Sequence, residues 1–158
     1  SSAASDVYKR QPLHKAANPG VFDCLRGGGA SHVCSRALWS KRGRSIAFSK
    51  DLSIGYYDAR TVVYVALQLA YHLGFEQVLL VGVDLDQSVG RFYETDDGEH
   101  SPCGLDQHWH SRILPALTLM AEQVMDEHFR VYNVSASSRI PPALVPRINL
   151  AEARRIAA

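Results

Sequence analysis

The segment Asp106-Gln107-His108-Trp109-His110 sets two imidazoles and a carboxylate side by side along the chain. Histidine is the usual general base near neutral pH, because its reference pKa of about 6.5 lets it accept and release a proton there. His108 and His110 are two positions apart and share a face on an extended segment. With His100 or Cys103 they could hold a metal, but the spacing is loose and no further ligand motif accompanies them, so no metal is expected. Two histidines on a surface loop are the bland alternative. A second group, Tyr56-Tyr57-Asp58-Ala59-Arg60-Thr61, stands just before an apolar-periodic stretch. Backbone N–H groups at a helix start, the Arg60 guanidinium and the Thr61 hydroxyl suit a phosphate. Asp58 could equally be only the helix N-cap. A third group consists of Asp84 at the end of a continuous apolar run, with Ser135, Ser137 and Ser138 after a later one. Asp84 could simply cap a neighbouring turn.

These groups need elements to carry them. Apolar residues at 62, 63, 66, 67, 69, 70 and 73 predict a helix over 59–73, interrupted only by Gln68 and His72, with Gly74 as its stop. Its expected buried face is Val62, Ala66, Leu69 and Leu73. Gln77 to Asp84 predicts a central parallel strand, with Val78 to Val83 buried on both faces. Residues 85–111 read as a long polar loop, 112–127 as a helix with Pro115 in its first turn, and 130–134 as a strand. Ser45 to Phe48 is a further short strand, 12–45 is mostly irregular or short helical pieces, and Leu150 to Ile156 is a terminal helix. Helix, glycine and buried strand make half of a βαβ unit, so the fold class is α/β. In open α/β sheets ligands bind beyond the carboxyl ends of the strands, where Asp84 with the loop 85–111, the serines at 135, 137 and 138, and the segment 56–61 converge. The expected cleft is bounded by 56–61, 84–92 and 135–138.

Composition limits what such a domain can be. The 158 residues are 46% hydrophobic and 21% charged, with a net charge of +1, which excludes global disorder and supports one core. No apolar run approaches the length of a membrane span, and no signal peptide is recognisable. Three cysteines without C-x-x-C spacing indicate reduced thiols in a cytoplasmic protein. Residues 1–60 hold ten Lys/Arg against four Asp/Glu, and residues 61–158 hold seven against twelve. The basic half suits phosphates or anionic lipid, or is merely solvated. Nucleic acid is not expected, since no aromatic-basic interleaving or recognition-helix motif accompanies the charge. Neither a Walker sequence nor G-x-G-x-x-G occurs. Residues 1–11, SSAASDVYKRQ, read as a non-native leader, leaving 12–158 as a single domain best supported over 45–150.

Residues 56–84, YYDARTVVYVALQLAYHLGFEQVLLVGVD, carry a longer pattern. Their A-L-Q-L-A-Y-x-L-G-[FY]-x-x-[IV]-x-L-x-G-[IV]-D resembles a run shared by bacterial lipopolysaccharide core biosynthesis proteins of the Kdo-transferase kind. Related forms occur in α-2,3-sialyltransferases and flagellin-modifying motility accessory proteins. Val131-Tyr132-Asn133 and Leu144 to Leu150 are similar to the closing stretch of the same superfamily, so the resemblance spans 53–150.

The resemblance implies a three-layer Rossmann-like domain with a mainly parallel sheet, and a CMP-sugar-dependent glycosyltransferase needing no metal or separate cofactor. It implies transfer of an acidic sugar, Kdo or a related nonulosonate, to a lipopolysaccharide or surface-glycan acceptor. It places the chain in the cytoplasm, with peripheral contact at the inner membrane as a further expectation. Carried over by position, His108 is the general base with His110 its competitor. Thr61 sits near the CMP moiety, and Asp84 and Asp86 follow the nucleotide-side strand; Arg60 and Ser135, chosen from the residues themselves, join them as candidates for the nucleotide and its phosphate. Phe92 stands where the sialyltransferases use a phosphate-binding tyrosine, and neighbouring Tyr93 would substitute. The family's N-terminal nucleotide strand is not recognisable, which suggests an N-terminally truncated fragment. Two alternatives remain: an ATP-dependent enzyme like the pterin diphosphokinases, and a non-catalytic glycan-assembly module.

Overall fold

The computed structural model of the protein describes residues 13–36, 45–86 and 104–157. In chain order the elements are α1 (Val21–Arg26), β1 (His32–Cys34), β2 (Ala47–Ser49), a 3₁₀ turn (Leu52–Ile54), α2 (Val62–His72) and β3 (Gln77–Leu80). There follow α3 (Leu105–His108), a π-helical turn (Trp109–Ile113), α4 (Leu114–Gln123), β4 (Arg130–Asn133) and α5 (Leu150–Ile156). The class is mixed α/β with small sheets. β1 and β2 pair antiparallel, with Val33 opposite Phe48, and β3 and β4 pair parallel, with Leu79 opposite Tyr132. The expected leader, 1–11, lies outside the described residues, as does 87–103 of the expected loop.

Helix α2 ends as the glycine requires. Gly74 adopts φ 78°, its N–H donates to the Tyr71 carbonyl at 3.0 Å, and the Phe75 N–H donates to Ala70 at 3.1 Å. These are the two bonds of a Schellman stop. The buried face of α2 differs from the expectation: Tyr64, Leu67 and Gln68 are buried, while Val62 is 80% exposed and Leu69 and Leu73 are also exposed. The reason is polar. The Gln68 side-chain carbonyl accepts the N–H groups of Ser49 and Tyr57, each at 2.9 Å. Its amide donates to the carbonyls of Tyr57 and Tyr64 at 2.9 and 3.0 Å. That clamp, and the Tyr64 hydroxyl donating to Ala47 at 3.1 Å, turn the helix toward β2.

The apolar run after Gln77 is shorter as a strand than expected. Leu80 is buried and Val78 and Leu79 are half-buried, but Val81 is 71% exposed. Among the described residues β3 has one strand neighbour, β4, and Gly82 at φ 67° turns the chain away after Val81. Instead of 112–127 lying behind a loop, residues 105–123 are helical throughout. Trp109, Ile113, Ala116, Leu117 and Met120 bury one continuous stripe. Pro115 lacks the N–H that would bond the carbonyl four residues back, and its ring would crowd that turn. The wider π turn at 109–113 sits there and absorbs the mismatch.

The core lies between α2, α4 and the two strand pairs. Phe48, Tyr64, Tyr71 and Phe129 form an aromatic cluster, with Phe48 edge-on to Tyr64 at 5.6 Å between centroids and Tyr71 edge-on to Phe129 at 5.1 Å. A smaller cluster of Ala16, Cys24, Cys34, Ala47 and Tyr57 holds the N-terminal segment down. Cys24 and Cys34 form no disulfide, and burial beside Cys24 pushes the Cys34 thiol up to about 12.

Candidate functional site

Three chain segments meet at the carboxyl end of β3. The first is the turn before α2. The Asp58 Oδ1 accepts the Arg60 N–H at 2.7 Å, fixing Arg60 at φ 65° in the left-handed region. Thr61, and not Asp58, is the N-cap of α2: its Oγ1 accepts the Val63 N–H at 3.4 Å. Burial alone would raise the Asp58 carboxyl. The Arg60 N–H, the Lys15 ammonium at 3.2 Å and the Arg60 charge outweigh it and hold the group below its ordinary value.

The second segment leaves β3 through Gly82 at φ 67° and Leu85 at φ 52°. Positive φ at a residue other than glycine stores strain, and both Arg60 and Leu85 carry it at this one site. The turn after β4 braces the segment. Ser135 Oγ accepts the Val83 N–H at 2.9 Å, Ser138 Oγ donates to the Val83 carbonyl at 2.6 Å, and Ser137 Oγ donates to the Asp84 carboxylate at 2.8 Å. The third segment is the start of the long helix, Gly104 to His108. A Cβ on Gly104 would stand 3.3 Å from the His108 ring, so the missing side chain gives the imidazole its room. Arg139 fixes this helix start to the turn after β4, pairing with Asp106 and stacking on the Trp109 ring at 4.4 Å.

Together they enclose a cleft of about 560 Å³ lined by Arg60, Thr61, Asp84, Leu85, Gly104 and His108, among others. That is room for a small-molecule ligand, for which clefts of roughly 300–1,000 Å³ are usual. The cleft therefore offers a cation, a hydroxyl, a carboxylate and an imidazole along its lining. His110 is exposed and is not part of this lining. Asp86 is exposed beyond the lining, and Ser135 is buried behind it as a brace. The serine turn thus supports the wall that Val83 and Asp84 form. Tyr93 and Phe92 lie outside the described residues, as do His100 and Cys103. Sequence reasoning missed Arg139 and Gly104. Nothing in their local pattern marks them, since each acts on a partner brought close only by folding.

Comparison with known proteins gives the family. Residues 29–151 match the family described as 3-deoxy-D-manno-octulosonic acid transferase WaaZ. A probable 3-deoxy-manno-octulosonic acid transferase of Salmonella typhimurium is 36% identical over 113 residues, covering 72% of this chain and 40% of that protein. A protein of Escherichia coli bearing the same description is 34% identical over 111 residues, covering 70% of this chain and 38% of its own. The chain thus spans about 40% of the length of these curated relatives. No solved structure matches it significantly. With that match running through every wall of the cleft, the chain belongs to the WaaZ family of 3-deoxy-D-manno-octulosonic acid transferases.

Proposed function

We propose that the cleft serves a glycosyltransferase that moves Kdo or a related acidic sugar from a CMP-sugar donor to a lipopolysaccharide or surface-glycan acceptor. The observation that carries this reading is the convergence of Arg60, Thr61, Asp84 and His108 on one cleft. His108 takes the proton from the acceptor hydroxyl as that oxygen bonds to the anomeric carbon of the donor. The bond from that carbon to the phosphate oxygen breaks, and CMP departs with the electron pair as an anion. Arg60 and the start of α2 face the departing charge, where preorganised donors stabilise it most. The reading brings with it the larger Rossmann-like sheet of which the parallel β3–β4 pair is one part, and a place on the cytoplasmic face of the inner membrane. Among the described residues no helix is long and apolar enough to cross a membrane.

The test is calorimetric titration of CMP, UMP, GDP and ATP into the 158-residue chain. CMP should bind in preference to the others. Arg60→Ala should weaken it about tenfold or more, since a charge-assisted contact contributes roughly 1.5–3 kcal/mol and 1.4 kcal/mol is a factor of ten. Unchanged CMP affinity in a folded Arg60→Ala variant removes Arg60 from the site. Binding of ATP with Mg²⁺ in preference to CMP overturns the reading in favour of a diphosphokinase-like enzyme.

A further inference from the structure

A second pocket of about 280 Å³ shares Arg60 with the cleft and is lined by Lys15, Ser45, Tyr57, Asp58, Arg60 and Arg112. Three cations face it against one carboxylate. That carboxylate is engaged twice, by Lys15 at 3.2 Å and by the Arg60 N–H at 2.7 Å. Arg112 is half-buried on the π turn and reaches across to the Ser45 hydroxyl, so its guanidinium is held in place beside the cavity. Tyr57 and Ser45 are buried and form the floor. A half-enclosed pocket with excess positive charge and hydroxyl donors fits an oxyanion, which guanidinium and ammonium groups bind through charge-assisted hydrogen bonds.

The position decides which oxyanion. Arg60 lines both this pocket and the cleft that holds His108, so the two cavities share one wall. Transfer between two sugars needs both held side by side, because proximity replaces a bimolecular encounter. We propose that this pocket is the acceptor subsite and binds the anionic substituent, carboxylate or phosphate, of an acidic acceptor sugar. The inference rests on the glycosyltransferase reading above for the word acceptor, whereas the anion site itself stands on the lining alone.

The experiment is NMR titration of the 158-residue chain with glucose 6-phosphate, glucuronate and neutral glucose, with and without saturating CMP. An acidic sugar should shift the resonances of Lys15, Tyr57 and Arg112 while glucose does not, and CMP should leave those shifts in place. The stronger of the two acidic sugars tells phosphate from carboxylate. Arg112→Gln should weaken that binding about tenfold and leave CMP affinity unchanged. Lys15→Gln, at an exposed residue, gives the same readout should Arg112→Gln not fold. No shift with either acidic sugar, or equal affinity in both variants, overturns the proposal. Displacement of the acidic sugar by CMP also overturns it, since the pocket would then belong to the donor. Acidic-sugar binding in a chain that ignores CMP leaves the anion site standing and sinks the donor reading instead.

Discussion

At the scale of single residues, the two histidines are separated by the helix that carries them. The segment is helical from Leu105 and passes into the π turn at Trp109, so His108 and His110 point to opposite sides of the axis instead of sharing a face. His108 lines the cleft and His110 is exposed. In the full-length protein, His108→Asn should leave CMP affinity intact and lower turnover by roughly 10²–10⁴, the usual contribution of a general base. His110→Asn should change turnover little. A reversed ranking in steady-state rates assigns the base to His110, and equal, small effects remove histidine from the mechanism.

At the scale of elements, α2 is oriented by one polar side chain. Gln68 lies amid apolar neighbours, and in the sequence it reads as an interruption of the helix face. In the fold it satisfies the N–H groups of Ser49 and Tyr57 and the Tyr57 carbonyl, none of which water reaches. Gln68→Leu keeps the bulk and leaves these groups unpaired, each at about 1–3 kcal/mol. Thermal unfolding should therefore begin roughly 6–12 °C lower, taking about 3 kcal/mol as the total and 2–4 °C per kcal/mol for a chain of this size. Hydrogen exchange at Tyr57 should quicken most, because the segment leading to Arg60 loses its anchor. A melting temperature unchanged by Gln68→Leu would refute the clamp as the element's determinant.

At the scale of the whole molecule, the N-terminal segment is tied to the cleft over a long stretch of chain. Lys15 bridges in parallel with Tyr56 and pairs with Asp58, 43 residues away. The Asp58 carboxyl is held below its ordinary value of 3.8, so its contribution is present above that pH and is lost as pH falls through the lower folded value. Hydrogen-exchange protection at Tyr56 and Arg60, taken relative to the intrinsic rate at each pH, should fall in that acid window. In Asp58→Asn the protection should be flat there: the amide oxygen still accepts the Arg60 N–H, but Asp58 no longer titrates. The ion pair is largely exposed and contributes about 0.2–1 kcal/mol, so the effect stays local. Acid-induced loss of protection that persists in Asp58→Asn shows that another group controls the turn before α2.

Much of the chain was legible from its letters because the signals were local. Gly74 stops α2, β4 forms within the expected 130–134, and α5 spans the expected Leu150 to Ile156. Arg60, Thr61, Asp84 and His108 could be singled out because phosphate and proton chemistry need those residue types near helix starts and strand ends. The rest depended on contacts between distant segments. Which face of α2 is buried follows from Gln68 meeting Ser49 and Tyr57. The helix beginning at Leu105 follows from Trp109 and Ile113 joining a stripe whose other half lies beyond Pro115. The bracing of Val83 and Asp84 by Ser135, Ser137 and Ser138 joins residues more than fifty positions apart. Periodicity and capping act within a turn or two of chain, whereas hydrogen-bond satisfaction and side-chain packing are settled only when such segments meet. Tertiary structure alone could decide that Arg60 stands between two cavities.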